Sequence, residues 1–162
     1  MTLTTCDEEL CRILEPNVCT TRDRVKVLRI CRDNGIPTVV WLSPILPFIN
    51  DTRENIEGIL DYCIEAKVYG IIHFGMGMTL REGSREYFYA ALDRHFPGMK
   101  EKYSEKYGYA YEISSDKNRE LTDLFRRKCK ENGIVCDTEQ CFRYLRELPE
   151  KYEQLSLETM MF

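Results

Sequence analysis

The chain is short of the patterns on which common catalytic and metal sites are built. It has two histidines, His73 and His95, and neither stands in a His-Glu-x-x-His spacing, so the paired-histidine helix of a metalloprotease is excluded. No nucleophile elbow, triad signature or Walker loop occurs. Its eight cysteines include no Cys-x-x-Cys pair, which leaves zinc ribbons and thioredoxin-like redox motifs without their anchor. A basic excess is also missing. Lysine and arginine number 23 against 27 acidic residues, a net charge of -4, which argues against a dedicated duplex-binding protein while leaving room for a local basic groove. No apolar run approaches the roughly 20 residues that cross a bilayer, and no signal peptide opens the chain. A soluble, cytoplasmic protein with no membrane contact is expected.

What is present is ordinary globular composition, 43% hydrophobic and 31% charged over 162 residues. That excludes disordered, collagen-like and long coiled-coil chains, and it is enough for one buried core. The cysteines are Cys6, Cys11, Cys19, Cys31, Cys63, Cys129, Cys136 and Cys141. Without a leader, a disulfide framework is not expected. Cys31 and Cys63 fall on the apolar faces of predicted helices, where cysteine acts as a small hydrophobe.

Helical spacing runs over 22–34, with Val25, Leu28 and Cys31 inward, and Asn34-Gly35 stops it. Ile36 to Leu42 reads as a buried strand. Asp51 with Glu54 fits a capping box for a helix carrying Ile56, Ile59, Leu60, Cys63 and Ile64. Gly70 opens a second strand, Ile71 to Phe74; residues 85–95 read as helix, and another helix carries Leu121, Leu124, Phe125 and Cys129. Ile134-Val135-Cys136 reads as a last strand, followed by a helix marked by Cys141, Phe142, Leu145 and Leu148. Leu3 to Thr5 makes a strand at the very start. Helices alternating with strands apolar on both faces predict a parallel sheet covered by helices. The expected fold is α/β, a partial (half) TIM-type β/α barrel over 1–80, a mostly helical extension over 81–148 and a tail over 149–162.

One ordered set of motifs carries a resemblance. Thr2-Leu3-Thr4-Thr5 is followed by Leu14-Glu15-Pro16-Asn17, Arg24, Gly35-Ile36-Pro37, Ser43-Pro44-Ile45-Leu46-Pro47 and Asn50-Asp51. This order resembles the second half of the barrel in radical S-adenosylmethionine proteins of the spore photoproduct lyase and DNA repair photolyase-like group. It covers residues 2–80 well and 81–148 weakly. The resemblance implies a lyase-type radical chemistry, S-adenosylmethionine and a four-iron four-sulfur cluster. The cluster needs a Cys-x-x-x-Cys-x-x-Cys loop, which is absent. A missing N-terminal half, on another polypeptide or lost by truncation, is therefore implied.

The resemblance assigns cofactor contacts to Thr4, Thr5, Glu15, Arg24, Ser43, Pro44, Met76 and Gly77. The hydroxyls of Thr4 and Thr5 could bond the cofactor's ribose or carboxylate, or could cap the turn that follows. Glu15 could pair with Arg24 over the site, or Arg24 could grip a carboxylate itself. Ser43-Pro44 could wall an adenine ring, or simply shape a loop. Asn50 and Asp51 read most simply as a helix start. In Phe74-Gly75-Met76-Gly77-Met78 the glycines allow close backbone approach. His95 reads as a helix-end residue, and no metal role follows for either histidine.

Between Lys100 and Tyr111, lysines alternate with Tyr103, Tyr107, Tyr109 and Tyr111. Such a stretch could stack unpaired bases, or form an amphipathic helix whose Tyr103 and Tyr107 pack down four residues apart. Three functions are thus open: part of a radical S-adenosylmethionine enzyme, a non-catalytic module that self-associates or docks through an open sheet edge, or a single-strand nucleic-acid binder.

Overall fold

The computed structural model describes residues 1–147. Seven helices and four short strands follow in the order α1 (Glu8–Leu14), α2 (Thr21–Asp33), β1 (Val39–Trp41), α3 (Arg53–Glu65), β2 (Gly70–Ile72), β3 (Gly77–Thr79), α4 (Ser84–His95), α5 (Met99–Tyr107), β4 (Glu112–Ser114), α6 (Asn118–Glu131) and α7 (Thr138–Arg146). No helix among the described residues is long and apolar enough to cross a membrane.

The half-barrel expectation is overturned. The described residues form a mostly helical fold with two sheets of two strands each. β1 and β2 run parallel, with Val40 opposite Ile71, and β3 and β4 run antiparallel, with Met78 opposite Ile113. The expected outer strands shrink to single parallel bridges, Thr2 with Trp41 and Val135 with Gly70. Their backbone groups go elsewhere. The Thr5 carbonyl accepts from the Thr21 hydroxyl (2.6 Å) and the Asp7 N–H donates to the Thr5 hydroxyl (3.2 Å). At the other side the Ile134 N–H donates to the Cys129 carbonyl (2.9 Å), closing α6. Asp137 then caps α7 by accepting from the Gln140 N–H (2.7 Å). Turn and cap bonds thus end each run before a ladder grows.

Two cores result. The larger packs α2, α3 and α6 on one face of β1–β2 through Val25, Leu28, Ile56, Ile59, Leu60, Leu121, Leu124 and Phe125. Each such side chain contributes about 1.5–3 kcal/mol when fully buried. α7 covers the other face, where Cys141 and Phe142 meet Val39, Trp41 and Ile72. The smaller core lies within residues 77–114, around Leu80, Leu92, Tyr103 and Ile113, with Phe48 and Phe88 packed against it.

Two local readings are also corrected. The cap of α3 is Thr52, whose hydroxyl accepts from the Asn55 N–H at 3.1 Å. Asp51 is instead buried and accepts from the Ser115 hydroxyl, a bond that ties β4 to the loop before α3. The strand expected over Ile71 to Phe74 ends at Ile72, and the chain then turns back as β3. Here Gly77 is required by packing: a Cβ would lie 2.1 Å from the Ile113 carbonyl oxygen. The expected tail over 149–162, and Leu148 in the last helix, lie outside the described residues.

Candidate functional site

Between the N-terminal segment and α4 lies a cleft of about 520 Å³. One wall comes from the N-terminal segment and its turn, through Thr2, Thr4, Ile13 and Glu15, with Pro44 after β1. The other wall is α4 and the residue after it, through Phe88, Ala91, Leu92 and Phe96, with Ile49 and Met78 between the two. Its lining is mostly apolar with a few polar side chains, the usual character of a small-molecule site.

Its polar corner is fixed by charge and hydrogen bonding. The Arg24 guanidinium donates to both Glu15 oxygens at 2.9 Å, and the Thr4 hydroxyl donates to Glu15 Oε2 at 2.7 Å. The Arg24 side chain is 7% exposed and that of Glu15 is 22% exposed. Burial opposes the charge on Arg24, but its neighbours Cys19 and Glu15 prevail and hold its pKa above the ordinary value. Arg24 also donates to the Thr2 carbonyl at 3.0 Å. The Thr4 carbonyl accepts from both Asn50 (2.9 Å) and Asn55 (3.1 Å). Met1 and Leu3 bond Trp41 of β1 on the opposite side. The outward carbonyls of Thr2 and Thr4, which an added strand would seek, are therefore already met by side chains, a recognised way to blunt an edge.

The sequence-derived candidates divide. Thr4, Glu15 and Pro44 reach the cleft. Arg24 stands behind it, committed to Glu15 and Thr2. Thr5 is buried as a turn cap, Ser43 is half-buried, and Met76 is fully buried in the larger core. Gly77 meets the Ile113 carbonyl. Asn55 was missed, although it holds the strand end: its side chain joins the Thr4 and Asn50 carbonyls and accepts from the Cys6 N–H at 2.8 Å. No spacing rule marks an asparagine in a helix's first turn for that task.

A second cavity, about 560 Å³, is polar and lined by His73, Asn118, Thr122, Arg126 and Asp137 among others. His73 accepts from the Gly75 N–H (3.1 Å) and sets its ring against Phe125, centroids 4.3 Å apart. Burial, with the Arg126 charge adding to it, holds its pKa below the ordinary value.

The lysine-tyrosine stretch folds as the amphipathic helix α5. Tyr103 is fully buried and donates to the Pro47 carbonyl (2.5 Å), while Tyr107 donates to that of Ser114 (2.9 Å). Tyr109 and Tyr111 are exposed. Lys100 pairs with Asp93, and Lys106 with Asp116. Cys11, Cys63, Cys129 and Cys141 are buried, while Cys31, expected inward, is half-buried. Burial pushes the Cys63 and Cys129 thiols up to about 12, so they pack rather than react. Among the described residues no group of three or more His, Cys, Asp or Glu side chains is placed to hold a metal ion.

No protein-family model and no solved structure matches the chain. It is similar to an uncharacterized protein of Mycobacterium bovis and to uncharacterized proteins of two strains of Mycobacterium tuberculosis. Each is 30% identical over 101 residues, 62% of this chain and 29% of the relative. The matched stretch thus spans under a third of the length of these curated relatives.

Proposed function

We propose that the chain is one part of a radical S-adenosylmethionine protein of the DNA repair photolyase-like group, and that its cleft contributes to the S-adenosylmethionine site. The observation that carries this is a convergence. Thr4, Glu15 and Pro44 belong to three separate motifs of the resemblance, and all three line one cleft. The cleft also has an apolar wall suited to an adenine ring. A second support is length: the match fills only 29% of the mycobacterial relatives, which leaves room for a cluster-bearing part.

The iron-sulfur cluster does not fit this chain. Its cysteines lack the spacing, and four of them are buried. A further part, on the same polypeptide or on a partner, would hold it, and this chain alone would be inactive. S-adenosylmethionine, when bound beside such a cluster, supplies hydrogen-abstraction chemistry, the expected substrate being a cross-linked pyrimidine. The residues here bind and orient. The Thr4 hydroxyl and the Glu15 carboxylate are held in place by Arg24 and offer their free lone pairs to ribose hydroxyls. Pro44, Ile49 and Phe88 exclude water from a flat ring.

Isothermal titration with S-adenosylhomocysteine tests the reading. Saturable one-to-one binding is expected, weakened at least about tenfold, or 1.4 kcal/mol, by Ala91→Trp, which fills the cleft from α4. No binding, or binding indifferent to that substitution, would remove the cofactor role.

A further inference from the structure

We infer that the mouth of this cleft is an anion seat, so that its ligand is a flat apolar molecule bearing a phosphate, sulfonate or carboxylate. The inference deepens the cofactor reading by naming a charge requirement, but it stands on different residues. Arg12 and Arg94 line the cleft together with His95. Arg12 lies in the last turn of α1, and Arg94 and His95 lie in the last turn of α4.

Basic residues at a helix C-terminus have a reason of their own, since they oppose the dipole. That reason does not explain why two helices turn such ends into one apolar hollow. Among the described residues neither Arg12 nor Arg94 is paired with a carboxylate, although the Glu8 charge lies near Arg12. Glu8 turns its carboxylate to the Arg22 N–H (2.7 Å), and Arg12 donates to the Glu8 carbonyl at 3.4 Å. Asp93, beside Arg94 in sequence, is taken by Lys100 at 2.6 Å. Glu15, the one acid lining the cleft among the described residues, is neutralised from behind by Arg24. Two permanent cations and an imidazole therefore face an aromatic pocket holding Phe88 and Phe96. Close to low-dielectric walls, such charges act more strongly than they do on an open surface. An aromatic anion satisfies both halves of the hollow, whereas a neutral aromatic satisfies one.

The test compares two dyes that share an aromatic body, 8-anilinonaphthalene-1-sulfonate and its uncharged parent N-phenyl-1-naphthylamine. Fluorescence titration of the folded chain at low salt should favour the sulfonate at least about tenfold. Arg12→Gln with Arg94→Gln should erase the preference, with near-UV circular dichroism unchanged. Added sodium chloride should shrink it, because the seat opens to solvent. Equal affinities, or a preference that survives the double substitution, would overturn the inference. Adenosine 5′-monophosphate should displace the sulfonate better than dodecanoate; the reverse order would overturn the choice of a flat ring. Sulfonate preference without S-adenosylhomocysteine binding would sink the cofactor reading and leave the anion seat standing. Binding of S-adenosylhomocysteine without the preference would do the opposite.

Discussion

The two cores of this protein are built from different materials. The larger is aliphatic, with leucine, isoleucine and valine from α2, α3 and α6 interlocked beneath β1 and β2. The smaller is aromatic: Tyr103 sits among Phe48, Phe88, Tyr89 and Tyr107. Phe48 meets Tyr103 edge-on at 5.8 Å, and Phe88 does so at 5.2 Å. Aliphatic packing is non-directional and tolerates sliding, whereas aromatic edges and phenolic hydroxyls fix orientation. The difference suits their tasks. The larger core holds the fold together, and the smaller one holds α4 in position as the far wall of the cleft. Side-chain bonds from Tyr103 to the Pro47 carbonyl and from Ser115 to Asp51 tie the smaller core to the loop before α3.

Stability should show the same division. The largest effect is expected from Phe125→Ala, which empties the centre of the larger core and should cost about 3–5 kcal/mol in chemical denaturation, unfolding the chain as a whole. Gly77→Ala is expected to cost less, about 1–3 kcal/mol, and to act locally. Its added carbon would displace β4, so amide exchange should quicken across 77–114 while α3 and α6 keep their protection. Equal exchange in both regions would erase the distinction between the cores.

The smallest effect concerns pH. The neutral imidazole of His73 is the form the fold prefers, since burial and then Arg126 lower its pKa from the ordinary 6.5. Its contribution is complete above that value and is lost as pH falls through the lowered one. Urea midpoints should therefore fall between about pH 7.5 and pH 5. His73→Gln, which keeps an acceptor for the Gly75 N–H, should make that fall shallower. An unchanged slope would mean that the ring is hydrated.

The same contrast explains what could be read from sequence. α2, α3 and α6 follow from apolar residues at helical spacing, and β2 follows from an apolar run after glycine. These segments pack through periodic hydrophobes, which periodicity reports. The array of strands was misjudged because apolar runs say that a segment is buried, not how long its ladder is. At Thr5 and Ile134, hydroxyls and helix-closing bonds take the backbone groups that a strand would use. The pairing of β3 with β4 joins segments 33 or more residues apart, with short and mixed composition. At three residues apiece, the strands are too short for an alternating pattern to announce the pairing. Of the cleft, Thr4, Glu15 and Pro44 are lining residues that the motif order had singled out without placing them together, and the Glu15–Arg24 pair was legible through charge. The wall from α4 was not, since Phe88 and Phe96 look like any helix's inward residues until the smaller core turns that helix toward the N-terminal segment.

The N-terminal segment and α4 are proposed to bind one small molecule between them. Hydrogen exchange measured by mass spectrometry, with and without saturating S-adenosylhomocysteine, tests it most directly. Peptides covering 2–15 and 85–96 should slow together, and peptides from α7 should not change. Slowing confined to one of the two peptides, or to neither, would contradict the claim.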